Sequence, residues 1–528
     1  MFKSPLTTLI HWAYQTHHAA RDRQIPVEEL LEQQSSWALS RRRFLVSSAA
    51  IAGASVLGNL TWKVTAANAR STVSPILIVG AGIAGLTAAY RLRQAGIPVD
   101  VVEARGRVGG RMHSVPNVAG TSISAELGAE FIDHDHRRMR SLVDELELDL
   151  INLHAGQAGL VDTYFFNQQT VSPEQLLQDF APIARQIDID FAKLARFQDY
   201  KTATPEVRRL DQQSIADYLD MLPTTETLRT IIDVAYTAEY GIDIDEQSCL
   251  NLLNMIDATS DRLSLYGASE EGFCVKGGND QIPKTLAKRV ESSIQPHTSL
   301  ERIRNLSDGR YQVTLRSDQG VSDRTYERVI LALPFSVLRT IDLDVDLSPV
   351  KRAAIAQLGY GSNNKLITGY REKVWRDRYQ ATALTFSDLP FQSVWEASHS
   401  QYGSKDDALL TNFVGGHSGV ELGRQSTEEA IAHLLPQLNQ VYPGVQDAYL
   451  QKGGLRTSWV HDPFSRGSYS GYRVGQWTQF YGVEGERVGN LFFVGEHCSK
   501  QYQGWMEGAC ETAEQAAARI LAEVGAPI

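Results

Sequence analysis

An apolar run, Ile76-Leu77-Ile78-Val79, leads directly into Gly80-Ala81-Gly82-Ile83-Ala84-Gly85 and an Ala/Leu-rich stretch; a second apolar run, Val99 to Val102, ends at Glu103. Strand, glycine turn, helix and strand in this order leave few folds open, and they predict a βαβ unit. The glycines allow a tight turn and let a pyrophosphate reach the helix N-terminus, where unpaired N–H groups and the helix dipole favour negative charge. Glu103 lies 23 residues after Gly80, close to the roughly 20-residue spacing that puts a carboxylate on a ribose hydroxyl. A dinucleotide cofactor is the expectation.

The chain continues Glu103-Ala104-Arg105-Gly106-Arg107-Val108-Gly109-Gly110-Arg111. A Gly-Gly step permits close backbone approach, and flanking guanidiniums can pair with phosphates. Far downstream, Asn490-Leu491-Phe492-Phe493-Val494-Gly495-Glu496 is followed by Gly504-Trp505-Met506-Glu507-Gly508-Ala509 and an Ala-rich helix to Ile520. On these motifs the chain resembles the flavin-containing amine oxidases, the group of monoamine oxidases, polyamine oxidases and L-amino-acid oxidases, over nearly everything after residue 73. The resemblance implies an α/β fold, with a Rossmann-like FAD-binding domain and a discontinuous α+β substrate domain. It also implies cofactor contacts at Gly80, Gly82, Ala84, Gly85, Glu103, Ala104, Arg105, Gly110, Arg111, Leu300, Gly495, Glu496 and Met506. Glu511-Thr512 stands where the family usually has a small residue and Gly, which bears on local helix packing.

At 528 residues the chain is too long for one compact core. The expected division is a leader over 1–69, FAD-binding segments over 70–135, 271–335 and 459–524, and substrate-binding segments over 136–270 and 336–458. Residues 136–270 carry helix-like apolar spacing, as in Leu142, Leu146 and Leu148 or Ile215, Tyr218 and Leu219. Val275-Lys276-Gly277-Gly278-Asn279 returns to turn character, and Arg328-Val-Ile-Leu-Ala-Leu-Pro334 reads as a buried strand ended by proline.

In the leader, Ser40-Arg41-Arg42-Arg43-Phe44-Leu45 precedes a moderately apolar stretch to Leu60, and Ala67-Asn68-Ala69 offers small residues at a cleavage point. It resembles a twin-arginine export signal, which implies the twin-arginine translocase as a partner and a periplasmic or secreted enzyme that acquires FAD before crossing the membrane. The competing reading is a short membrane anchor, but the stretch falls short of the ~20 residues needed to span. After residue 69 no run reaches that length, so no stable anchor is expected in the mature protein. The leader carries a net charge of +3 and the whole chain −11, leaving −14 for the mature part. That balance argues against a nucleic-acid partner and favours a cationic substrate. Cys249, Cys274, Cys498 and Cys510 show no CxxC spacing and read as buried thiols. His134-Asp135-His136, without a companion cluster, reads as loop surface rather than as a metal pair.

Three catalytic candidates follow from the resemblance. Lys365, in Gly361-Ser-Asn-Asn-Lys365-Leu, matches the lysine that holds a water close to flavin N5. Such a lysine could activate water or stabilise the reduced flavin. Trp505 and Tyr469 match the two walls of an aromatic cage, whose negative faces would steer an amine; core packing explains either one alone equally well. Ser468 stands where monoamine oxidases carry the cysteine that bonds to FAD, so noncovalent FAD is expected. For the substrate, the segment Ala125-Glu126-Leu127-Gly128-Ala129-Glu130-Phe131 has Phe131 in place of the arginine that anchors a carboxylate in L-amino-acid oxidases. Polyamine oxidases resemble it more closely. Glu126 and Glu130, with Phe131 and Trp505, are therefore candidate substrate contacts, although Glu126 could equally cap a turn. A polyamine or other primary amine is the first expectation, with basic L-amino acids as an alternative. The electron acceptor stays open between O2, giving peroxide, and a quinone.

Overall fold

The computed structural model describes residues 27, 74–256, 271–398 and 408–526; the arginine-rich leader motif lies outside them. The opening motif folds into β1 (Ile76–Val79), helix α1 (Ile83–Gln94) and β2 (Val99–Val102). Every residue of β1 is buried, as expected of a parallel strand covered on both faces. Its partners come from far along the chain: β3 (Ile294–Gln295), β4 (Val329–Leu331) and β5 (Leu491–Phe493). The sheet order is β5-β4-β1-β2-β3, and every pairing is parallel. The Ala-rich segment becomes helix α2 (Met506–Glu523), which packs on α1 through small residues such as Ala88, Ala89, Ala513 and Ala517. The glycine turn after β1 and the backbone entering α2 are thereby brought to the same end of the sheet.

A seven-stranded sheet forms a second layer, in the order 449–456, 364–370, 408–414, 393–396, 381–387, 161–166 and 169–170. Lys365 lies at the start of one of its central strands, opposite Phe413 on the neighbouring strand. The helical spacing read from sequence is reflected in burial: Leu142 and Leu146 pack inward beside helix Arg137–Glu145, and Ile215, Tyr218 and Leu219 on helix Ile215–Asp220. A smaller antiparallel sheet over 299–326 takes a parallel fourth strand, Asp342–Asp344, against Ser299–Asn305. That strand lies past the expected boundary at 335, because Asp342–Asp344 pairs with this sheet and not with the seven-stranded one. Among the described residues no helix is long and apolar enough to cross a membrane.

Candidate cofactor and substrate site

The glycines of the opening motif divide into two physical roles. A Cβ on Gly85 would lie 1.9 Å from Gly80 O, and one on Gly80, at φ +101°, would lie 2.7 Å from Ala332 O. These two seat α1 against β1 and the loop after β4. A Cβ on Gly82 would meet nothing within 4 Å. Gly82 is the N-cap of α1 and supplies no side-chain cap, so the helix opens onto free space where an anion can approach its N–H groups. At the end of β2 the Glu103 carboxylate accepts Ala81 N–H and Arg105 N–H, both at 2.8 Å, which fixes it at the rim of that space.

The space continues as a cavity of about 420 Å³. Gly80, Gly82, Ala84, Glu103, Ala104, Arg105, Gly110, Arg111, Leu300, Gly495, Glu496 and Met506 line it, together with Glu130, Phe131, Lys365, Tyr469 and Trp505. Small residues, an uncapped helix N-terminus and a carboxylate at ribose spacing fit the pyrophosphate and sugar of a dinucleotide. Gly85 is not on the wall, since it acts through packing. Opposite the glycine turn, Arg111 donates to Ser468 O at 2.6 Å and to Glu496 Oε1 at 3.0 Å. Burial alone would raise the Glu496 carboxyl, but the Arg111 guanidinium and the Ser470 hydroxyl hold it below the ordinary value. Thr512, a departure from the family pattern, accepts Gly495 N–H at 3.0 Å and so fixes the strand end beside the cavity.

The segment 126–130 forms a rigid wall because each of its five carbonyls meets a side-chain donor. Lys365 Nζ donates to Glu126 O at 3.2 Å and Gly128 O at 2.8 Å; Trp459 Nε1 donates to Leu127 O at 3.0 Å. Asn279 Nδ2 donates to Ala129 O at 3.2 Å and Glu130 O at 2.6 Å. Gly128 passes so close to Arg111 O that a Cβ there would lie 1.9 Å from it. The Lys365 ammonium also pairs with Glu130 Oε2 at 2.6 Å, with both side chains at least 95% buried. Trp395 Nε1 donates to Glu130 Oε1 at 3.1 Å.

Glu126 does not line the cavity, which corrects the expectation of a substrate contact there. Its carboxylate accepts Asn279 N–H at 2.7 Å and the Ser114 hydroxyl at 2.8 and 2.9 Å. Burial pushes its carboxyl up to about 7. It is a turn-capping group, held in place by the Gly277-Gly278-Asn279 bend, where Gly278 at φ +117° has no room for a Cβ beside Ser114. His136, read as loop surface, is only 2% exposed. Its ring lies 4.7 Å from Trp505, edge to face, its Nδ1 accepts Asp133 N–H, and burial drives it down to about 3. Asp133, Asp135 and His136 bring their ligand atoms within 4.8 Å of one another, with His136 Nε2 3.9 Å from Asp133 Oδ2, while the face of the site is set by the His136 ring against Trp505.

Tyr469 and Trp505 both face the cavity, and the Tyr469 hydroxyl donates to Glu239 O at 2.6 Å. Phe131 and Phe413 extend the apolar wall, and Trp395 packs against both, with ring centroids 5.8 and 5.3 Å away. Trp395, Trp459 and Asn279 carry much of this geometry and were not among the candidates. The Gly-Gly bend before Asn279 was a local signal; nothing local marks either tryptophan. All four cysteines are buried, and none is on the cavity wall. The Ser468 hydroxyl, on the wall, donates to Asn363 Oδ1 at 2.8 Å.

A family model, the flavin containing amine oxidoreductases, matches residues 83–521. Similar curated proteins include an amine oxidase [flavin-containing] of Oncorhynchus mykiss, 24% identical over 468 residues that cover 85% of this chain and 86% of the other. A flavin-dependent L-tryptophan oxidase of Lentzea aerocolonigenes is 26% identical over 484 residues, covering 85% and 98% of the two chains. Among solved structures, cyclohexylamine oxidase from Brevibacterium oxydans matches with a TM-score of 0.73 at 22% identity, covering 85% of this chain and 99% of the other.

Proposed function

The chain belongs to the flavin-containing amine oxidoreductases, and from that premise we propose that it oxidises a primary amine with an apolar body, releasing a carbonyl compound and ammonia. It is an FAD-dependent oxidoreductase acting on amines, and FAD is held without a covalent bond. Gly80, Gly82 and the α1 N-terminus would hold the pyrophosphate, Glu103 the ribose, and Gly495 and Glu496 the chain leading to the ring. When bound, FAD supplies a hydride acceptor at N5 and a route for the electrons to O2.

The protein's part is to strip water from the amine and orient it. Tyr469, Trp505, Phe131 and Phe413 present ring surfaces to the cavity, which favour an uncharged carbon frame and an amine over their faces. Lys365 stands at the junction of the aromatic wall and the cofactor space, where its ammonium can stabilise the reduced flavin as it forms and hold the water that then hydrolyses the imine. The observation that carries the choice of substrate is the commitment of both candidate acids. Glu126 is turned into the Ser114 and Asn279 network, and Glu130 is neutralised by Lys365. A second ammonium, as in a polyamine, would find neither of them available. This favours the "other primary amine" branch of the expectation over the polyamine branch.

Basic and aromatic L-amino acids form the second reading, supported by the similarity to an L-tryptophan oxidase. It requires a carboxylate anchor, which Phe131 cannot supply. Anaerobic bleaching of the bound flavin tests the choice, with cyclohexylamine, spermidine and L-arginine at equal concentration. Fastest bleaching by cyclohexylamine is expected; bleaching by L-arginine alone would move the enzyme to the amino-acid oxidases. Peroxide release under air would support O2 as the acceptor, and its absence a quinone. We further propose that the protein is exported to the periplasm or beyond through the twin-arginine route, on the strength of the motif at Arg41-Arg42.

A further inference from the structure

Resting on the proposed amine oxidation at this cavity, we infer that Glu130 is a positioning residue for Lys365 and not an anchor for the substrate's nitrogen. A lysine is a compact charge on a flexible four-carbon stem, so a lysine that must act at one point needs its ammonium fixed. Lys365 has three N–H donors, and they meet Glu130 Oε2, Gly128 O and Glu126 O at 2.6, 2.8 and 3.2 Å. Two of these partners are neutral carbonyls. Glu130 alone brings the opposite charge that a buried ammonium requires.

Glu130 is itself fixed from three sides. Its backbone carbonyl is held by Asn279 Nδ2, its Oε1 by Trp395 Nε1 and its Oε2 by Lys365. The Trp395 ring also stands 5.4 Å from Lys365 Nζ, so one indole orients the carboxylate and flanks the cation. At the other end of the lysine, the backbone of Lys365 is tied to Thr457 in both directions, each bond 2.9 Å long. Both oxygens are engaged by protein donors and the charge is already balanced by Lys365 at 2.6 Å, so a substrate ammonium brought to this carboxylate would face a second cation.

A carboxamide at this position has one acceptor oxygen for two donors, so Glu130→Gln leaves either Lys365 or Trp395 without its partner. The test uses the FAD-loaded enzyme and rapid anaerobic mixing with a primary monoamine, separating the limiting rate of flavin bleaching from the apparent Kd. Misplacing a reacting group by about 1 Å costs on the order of a hundredfold, and a fall of that size in the limiting rate is expected for E130Q with its Kd unchanged. E130D, which restores the charge one methylene short, recovers part of the rate. A raised Kd with an unchanged limiting rate would make Glu130 a substrate anchor and overturn the inference, as would wild-type values of both.

Flavin content and flavin-fluorescence melting of each variant report whether the fold and cofactor are retained. If E130Q does not retain them, Trp395→Phe removes the donor to Oε1 while keeping an aromatic ring at that place; a lowered limiting rate at constant Kd supports the inference and unchanged kinetics overturns it. Lys365→Met separates this inference from the activity it rests on. A K365M enzyme that bleaches at the wild-type rate removes Lys365 from the reaction and overturns the role of Glu130 while the amine oxidation stands; a wild-type enzyme that no primary amine bleaches would overturn the activity itself, and a slow K365M beside a fully active E130Q overturns only the role of Glu130.

Discussion

Two carboxylates four residues apart, Glu126 and Glu130, meet opposite fates because of what lies beside each. Glu130 has a cation at 2.6 Å. Glu126 has only a hydroxyl and an N–H, and burial raises its carboxyl from 4.5 to about 7. A carboxyl raised on folding stabilises the fold below its unfolded value and loses that contribution as pH climbs through its folded value. The neutral variant Glu126→Gln should therefore match the wild type near pH 5 and surpass it near pH 8, by on the order of 3 kcal/mol for a shift of this size. Thermal unfolding at the two pH values measures this, and an equal difference at both would refute it. At Ser468 the oxygen of a serine replaces the sulfur that could bond to a flavin, and acid precipitation should leave the flavin in the supernatant. Yellow colour retained by the pellet would contradict this.

Among the elements, the βαβ unit was the most legible, because its apolar runs, glycines and terminal acid are contiguous. The same contiguity separates two predictions within one turn. Gly82→Ala should fold and melt normally yet bind FAD much more weakly, since its methyl enters the open space at the α1 N-terminus. Gly85→Ala should lower the melting temperature itself, since its methyl would collide with Gly80 O at 1.9 Å. Reconstitution of the apoprotein followed by flavin fluorescence, beside a melting curve, distinguishes them; equal behaviour of the two would sink the division of roles. Elsewhere the elements were less legible because their partners are remote. Glu507, quoted as part of a motif, accepts Arg138 N–H and Met139 N–H at 3.1 and 2.8 Å and so caps helix Arg137–Glu145. Trp395 reaches Glu130 across 265 residues of chain, and no local pattern announces such a contact. Substrate identity suffered most, since it depends on which acids are already paired, and pairing is a property of the fold.

For the molecule as a whole, the two layers divide the work. The parallel sheet presents the cofactor cradle, and the seven-stranded sheet presents Lys365 and Phe413 to it from the opposite side. The proposed export route adds a requirement, because a noncovalent cofactor must be in place before a folded protein crosses a membrane. Changing Arg41 and Arg42 to Lys should leave flavin-loaded enzyme in the cytoplasm. Fractionation with activity staining checks this, and undiminished export would refute the twin-arginine reading. One further consequence belongs to the position of β5 at the edge of the parallel sheet, beside β4 and far from β1 in sequence. Gly495, Glu496 and α2 face the glycine turn only after this edge strand has docked, and it is the last of the five strands to leave the ribosome. A nascent chain can assemble four strands and still lack half of the cradle. The cradle read here for FAD is thus complete only once the chain through α2 has been made and docked.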